Sequence, residues 1–354
     1  MKKLLILLSF ISVLMSCSDE DESGNAEIID MSITAMSSSD LLLEDISIES
    51  ENSKILIFLN NDLRDHAFPI SLTTDVKLSS GAKTSSFLNS EISFNEADQV
   101  ISVDVEAEDG TLKTWSIFLI HHQIQNSSFE DWYTNVGMNG VDYTEIGNSA
   151  VESIWATANM GTSMYSVYGT KPLIVDSEKY VKIETFKSSS IPIPIAAGTL
   201  FIGRFDLAGA ISNPTNPKKA TKFGSSFIFS PKSFKVKYNY QAGDTLIQGE
   251  FNNPTNIFGG FTTEIIEGEE DKCAIYAILE SRTEDTNTEV ARAELYSETT
   301  SDNINEVIVD FNYTSTLQPT HISVVFSSSI DGDLWKGAAG STLLIEEFEL
   351  LYDL

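Results

Sequence analysis

Seven side chains carry the chemistry most worth weighing in this sequence: Trp155, Tyr165, Tyr168 and Trp335, with Arg204, Asp331 and Asp333. An aromatic ring offers a flat apolar face to the C–H surface of a pyranose, and a few fixed polar groups can then take its hydroxyls. Trp335 is the best placed of the rings. It lies in a loop rich in Ser and Gly, beside Asp331 and Asp333, and loop aromatics can stay exposed where strand aromatics are buried. For each ring the competing reading is core packing. Arg204 shares an alternation face with Leu200 and Ile202, so it reads either as a buried, paired arginine or as a groove donor.

Catalytic signatures are missing. Glycoside hydrolysis needs two carboxyl groups about 5–10 Å apart, but a chain with 52 acidic residues offers too many pairs for that to select any. Glu280 and Arg282 read as a groove pair or as an exposed ion pair. His66, His121, His122 and His321 show no metal-ligand spacing. His121-His122 falls between two folded units, where a polar hinge is expected rather than a zinc site. There is no nucleophile elbow, no Cys–His pairing and no glycine-rich phosphate loop. No catalytic residue is assigned.

The elements that must hold these residues read as strands. Phe234, Val236, Tyr238 and Tyr240 alternate with Lys235, Lys237 and Asn239. Val307, Val309, Phe311 and Tyr313 form a second such face, and Ile322, Val324 and Phe326 a third. A period of two is the mark of a half-buried strand. Turn signals at Asp109-Gly110, Asn213-Pro214, Asn216-Pro217, Asn253-Pro254 and Asp331-Gly332 punctuate the runs. The expected fold class is all-β: a small β-sandwich over residues 27–122, then a larger antiparallel jelly roll over residues 123–354.

The N-terminus sets the address. Lys2 and Lys3 precede an apolar run over residues 4–15, shorter than the about 20 residues that span a bilayer. It reads as a secretory leader over residues 1–16. Leu14-Met15-Ser16-Cys17 resembles a lipobox, so Cys17 is the expected lipidation site. The acidic residues 17–26 have nothing to bury and read as a tether. The expectation is a lipoprotein anchored in the outer membrane and exposed at the cell surface. Cys273 is then the one other cysteine, on an apolar run that reads as a buried strand. With 52 acidic against 22 basic side chains the net charge is −30, which argues against binding the phosphates of nucleic acid.

Ordered pieces of the second unit resemble the putative carbohydrate metabolism domain of Bacteroidetes lipoproteins. They are Asn126-Ser127-Ser128-Phe129-Glu130-Asp131-Trp132, Trp155-Ala156-Thr157-Ala158-Asn159, Ala197-Gly198-Thr199-Leu200-Phe201-Ile202-Gly203, Phe223-Gly224-Ser225-Ser226-Phe227, residues 327–337 and residues 340–348. The hairpin around Asp109-Gly110 looks like the closing hairpin of immunoglobulin-like modules in the same surface lipoproteins, which act as spacers. The opening Asn-x-x-Phe-Glu and the closing acidic pair also look like carbohydrate-binding jelly rolls. That likeness implies a structural calcium held by Glu130 with Glu346 or Glu347, since Ca²⁺ takes six to eight oxygens. Glu stands where such folds close on Asp. The implied function is a membrane-anchored glycan-binding lipoprotein. The alternatives are a glycoside hydrolase or polysaccharide lyase on the same jelly roll, and a structural or adhesive surface protein.

Overall fold

The computed structural model describes residues 24–64, 66–84, 90–187, 189–213, 215–300 and 303–353. The expected leader, Cys17 as the expected lipidation site, and most of the expected tether lie outside the described residues.

The chain is all-β. Its first part holds β1 (Ile28–Met36), β2 (Leu43–Glu49), β3 (Lys54–Leu59), β4 (Ile70–Leu78), β5 (Lys83–Thr84), β6 (Glu91–Phe94), β7 (Ile101–Glu106) and β8 (Leu112–Ile120). They form two sheets, β1-β4-β6 and β2-β3-β8-β7-β5. Strict alternation places Ile101, Val103 and Val105 inward with Ile70, Leu72, Ile92 and Phe94 of the facing sheet. Trp115 fills the centre of this core, fully buried, and its indole N–H donates to the Ala26 carbonyl. β3 and β8 run parallel; the other pairings are antiparallel.

The second part begins with β9 (Trp132–Val136), β10 (Asp142–Ile146), β11 (Trp155–Thr157), the short helix α1 (Asn159–Thr162), β12 (Thr170–Val175), β13 (Glu178–Glu184), β14 (Thr199–Phe205) and α2 (Leu207–Ser212). It continues with β15 (Thr221–Phe223), β16 (Ser225–Ser226), β17 (Ser233–Gln241), β18 (Leu246–Phe251), β19 (Phe261–Ile265), β20 (Cys273–Arg282) and β21 (Asn287–Ser297). It closes with β22 (Asn305–Asp310), β23 (Asn312–Tyr313), β24 (His321–Ser327), β25 (Lys336–Ala338) and β26 (Thr342–Leu351). Two antiparallel sheets face each other as in a jelly roll: β11-β14-β24-β20-β21-β23, with β15 and β16 attached, and β12-β13-β26-β17-β22. A third sheet, β19-β18-β25, stands beside them.

Period-two patterning explains the core. Phe234, Val236, Tyr238 and Tyr240 of β17 turn inward to meet Ile322, Val324 and Phe326 of β24 and Leu343, Ile345 and Phe348 of β26. Each fully buried side chain of this size contributes about 1.5–3 kcal/mol. The alternate residues Lys235 and Lys237 point outward onto Glu349, Glu346 and Glu347. Cys273 is fully buried on β20, and burial pushes its thiol up to about 12, so it is packing rather than a nucleophile.

The junction is packed, not hinged. His121 and His122 are buried. Leu56, Phe58 and Phe118 of the first part share a core cluster with Phe229 and Ile322 of the second. The Gln123 side chain pairs with both backbone groups of Leu350, donating to O at 2.8 Å and accepting from N at 2.9 Å. Arg64 bonds to Glu349 at 2.7 Å, and the Ser226 hydroxyl donates to Glu49 at 2.9 Å. The hinge expected at the two histidines is therefore corrected. The aromatic and aliphatic residues on both sides bury the link instead of leaving it solvated.

Candidate functional site

A concavity of about 620 Å³ has Trp335 in its wall. Its volume falls within the about 300–1,000 Å³ of small-molecule sites. Trp335 follows a single 3-10 turn, Gly332–Leu334, and leads into β25. The turn is built locally: Leu334 N and Lys336 N both donate to the Asp331 carbonyl, at 2.9 and 3.1 Å. Gly332 is required there, because a Cβ would stand 2.3 Å from that of Ala197. Trp335 itself is left-handed, with φ of 62°. Such a conformation is uncommon for a bulky residue and occurs mainly where surroundings enforce it. Three contacts do so. Its indole N–H donates to the Thr215 carbonyl at 3.1 Å, its carbonyl accepts from Gly249, and its ring meets the Phe251 ring edge to face at 5.1 Å.

The other walls are two loops with one sequence. Asn213-Pro214-Thr215-Asn216 follows α2, and Asn253-Pro254-Thr255-Asn256 joins β18 to β19. Each ends on an Asn that opens a 3-10 turn, Pro217–Ala220 and Ile257–Gly259. The loops touch, because the Thr215 hydroxyl donates to the Pro254 carbonyl. Across the groove, Lys218 Nζ lies 2.5 Å from Asp333 Oδ2. The lining thus offers one large ring, amides from Asn213 and Asn216, hydroxyls from Thr215 and Thr255, and one ion pair. An exposed pair of this kind adds little stability; here it fixes a donor and an acceptor at the rim.

A second, smaller cavity of about 190 Å³ lies between β9, β10, β11 and β14. Glu145, nearly buried, takes part in its lining. Burial pushes its carboxyl up to about 7, against the hydrogen bonds from Thr157 and Tyr143. The Thr157 hydroxyl lies 2.9 and 3.0 Å from its two oxygens. Trp155, Tyr133, Tyr143 and Arg204 share the lining.

The sequence-chosen residues therefore divide. Trp335 and Asp333 line the large groove; Trp155 and Arg204 line the small cavity, and no single trough unites them. Trp155 is 4% exposed, wedged against Phe129 and Phe326, with its indole N–H given to the Gln125 carbonyl. It is core, not a stacking platform, because β11 is paired to β14 with Trp155 facing the opposite sheet. Arg204 is exposed at the cavity mouth and makes no hydrogen bond or ion pair among the described residues. Gly203, just before it on β14, has a φ of 141° that a glycine allows. Asp331 shapes the turn, and its carboxylate stands 3.6 Å from Lys336. Tyr165 is half-buried and lines neither concavity. Tyr168 stacks on Tyr143 at 5.1 Å, and its buried hydroxyl has no partner among the described residues. Glu280 and Arg282 form a half-buried ion pair, with Asn287 on the other Glu280 oxygen at 2.8 Å.

The three glutamates expected at a structural calcium each lie against a lysine. Glu130 Oε2 lies 2.5 Å from Lys179, while Lys237 lies 3.5 Å from Glu346 and 3.0 Å from Glu347. A register shift between Lys237 and Tyr238 brings both successive glutamates to one lysine. Among the described residues no three acidic, His or Cys side chains converge as a metal would need.

Residues 128–351 match the family described as a putative carbohydrate metabolism domain. Among solved structures, a putative glycoside hydrolase from Bacteroides thetaiotaomicron is 26% identical with a TM-score of 0.53, covering 94% of this chain and 99% of that one. Another from Bacteroides vulgatus is 28% identical with a TM-score of 0.51, covering 64% of this chain and 96% of that one. No curated protein matches the chain in sequence.

Proposed function

The chain belongs to the putative carbohydrate metabolism domain family, and on that premise we propose that it is a glycan-binding protein whose sugar site is the Trp335 groove. One observation carries the reading: a half-exposed indole, held in a left-handed turn, faces twin amide- and hydroxyl-bearing loops. The ring supplies an apolar face, and the loops supply orienting donors and acceptors around it.

Binding is favoured over hydrolysis by the carboxylates. The lining of each concavity holds one: Asp333, which is tied to Lys218, in the groove, and Glu145 in the small cavity. Hydrolysis by the common route needs a pair of them flanking one bond.

The first sandwich is proposed as a rigid spacer, and Cys17 as the acyl anchor that holds both at the outer-membrane surface. Two or more acyl chains would hold it stably. Labelled fatty acid should be incorporated into the chain and lost in Cys17→Ser; incorporation that survives this change rejects the anchor.

The glycan reading is tested by affinity electrophoresis of the protein through gels containing neutral and acidic polysaccharides. The expected result is retardation by at least one neutral polysaccharide, without release of sugar, abolished in Trp335→Ala and weakened in Asn216→Ala. Equal mobility in every gel, or retardation untouched by both changes, rejects the groove as a sugar site. Release of reducing ends or unsaturated uronides would favour an enzyme.

A further inference from the structure

The small cavity is built differently from the groove. The molecule carries a net charge of −30, yet the side chain at the cavity mouth is a cation, Arg204. Arg204 has no acidic partner among the described residues. Directly across the ladder from it stands Lys222, since Arg204 and Lys222 are register partners in the β14–β15 pairing. Like charges placed opposite one another in a sheet cost stability. Lys222 reaches Asp206 only at 3.6 Å. On the other side comes Lys54 of β3, packed over the Phe118 ring at 5.0 Å. Burial holds the Lys54 ammonium below its ordinary value, Glu49 opposes this, and the charge of Arg204 adds to the lowering.

Behind the guanidinium the cavity is apolar and hydroxylated together. Trp155, Ala156, Met160 and Phe205 supply carbon surface, while Tyr133 and Asn135 supply polar tips. Asn135 donates to the Tyr143 hydroxyl at 3.3 Å, and that ring is braced by Tyr168. Glu145 lies at the buried end, where a carboxyl can accept from or donate to a hydroxyl of a guest. About 190 Å³ suits one ring rather than a chain.

We propose that this cavity is a second sugar site, selective for a carboxylate-bearing ring (a uronate unit), with Arg204 forking onto the carboxylate and the Glu145 end taking ring hydroxyls. A planar guanidinium binds a carboxylate through two parallel hydrogen bonds, which an ammonium cannot do. The inference rests on the glycan reading for the ring, and on the exposed Arg204 guanidinium, which has no acidic partner among the described residues, for the carboxylate.

Isothermal titration of the detergent-solubilised full chain with glucuronate and galacturonate oligomers, against the corresponding neutral oligomers, tests it. Uronate binding should weaken about tenfold or more in Arg204→Gln and by an intermediate factor in Arg204→Lys, with neutral oligomers unaffected by either. Trp335→Ala should leave this uronate site occupied while removing neutral-oligomer binding. The proposal is overturned if uronates do not bind, if they bind no better than neutral oligomers, or if Arg204→Gln leaves their affinity unchanged. Loss of both ligand classes in Trp335→Ala would place all binding in the groove and overturn it as well. Neutral binding at the groove with no uronate binding rejects this site alone; uronate binding without neutral binding rejects the groove alone.

Discussion

The imidazole of His122 lies against the phenol of Tyr352, with ring centroids 4.4 Å apart and planes inclined by 24°. The Tyr352 hydroxyl donates to the His122 carbonyl at 2.7 Å, and Phe229 meets the other side of the imidazole edge-on at 4.9 Å. One residue near the end of the described chain thus clamps the link between two sandwiches.

Calorimetric unfolding should accordingly give a single transition, because Phe58 and Phe118 of the first sandwich pack into the core of the second with Phe229, while Ile57 and Ile117 on the same strands belong to the first core. Tyr352→Ala should lower stability by about 2–3 kcal/mol, somewhat less than truncation of a fully buried ring. It should also broaden or split the transition. A sharp, unshifted transition in the variant would show that the two sandwiches are coupled by something other than this clamp.

Acid should loosen the same junction. Burial holds His121 down to about 4, so it is neutral in the folded state. A depressed histidine contributes stability that is present above its ordinary value of 6.5 and is lost as pH falls from there through about 4. Glu349 adds to this lower down. Burial raises it, but Lys235 and Arg64 outweigh burial and leave it below 4.5, so its contribution fades as pH falls through its folded value. Relative to the parent, His121→Gln should therefore gain stability as pH falls from 6.5 to 4, read from the denaturant midpoints of the two proteins at each pH.

Glu145 behaves in the opposite sense. Its carboxyl is raised from 4.5 to about 7, so the folded state holds a proton that the unfolded chain has released. Stability contributed by this group is present below 4.5 and is lost as pH rises through about 7. Glu145→Gln should remove that loss, gaining on the order of 2–3 kcal/mol over the parent at pH 8 and little at pH 4.5. Chemical denaturation at the two pH values measures it. An equal effect of the substitution at both would mean the carboxyl titrates normally.

Trp335 can be separated into backbone and side chain. A non-glycine residue in the left-handed region costs about 1–2 kcal/mol, so Trp335→Gly should be about 1 kcal/mol more stable than Trp335→Ala, although it removes more atoms. Both should lose neutral-glycan retardation. Equal stabilities would indicate that the turn relaxes out of the left-handed region once the indole is gone.

Strand patterning was legible because the period of two survives in Phe234 to Tyr240 and in Ile322 to Phe326 whatever lies across the sheet. Trp335 was legible for a local reason also, as an aromatic in a Gly-bounded turn. Trp155 was not. Its burial depends on Phe129 and Phe326, which approach it only after strands distant in sequence have paired. For Arg204 the strand pattern left two readings, and the structure shows it exposed at the cavity mouth rather than buried and paired. Lys218, Asn216, Glu145 and Tyr133 were missed outright. For the groove a signal did exist, since Asn-Pro-Thr-Asn occurs twice and was read only as turn punctuation. For Glu145 there was none, as one carboxylate among 52 is marked out only by the walls around it.

β26 runs down the middle of its sheet, with β13 on one side and β17 on the other. Until residues 342–351 are in place, those neighbours have no common partner, and the hydrophobic faces of both remain open. The jelly roll therefore cannot consolidate progressively as the polypeptide emerges. Such delay is the expected behaviour of long-range pairing, and it leaves the apolar faces of β13 and β17 open until the last strand arrives.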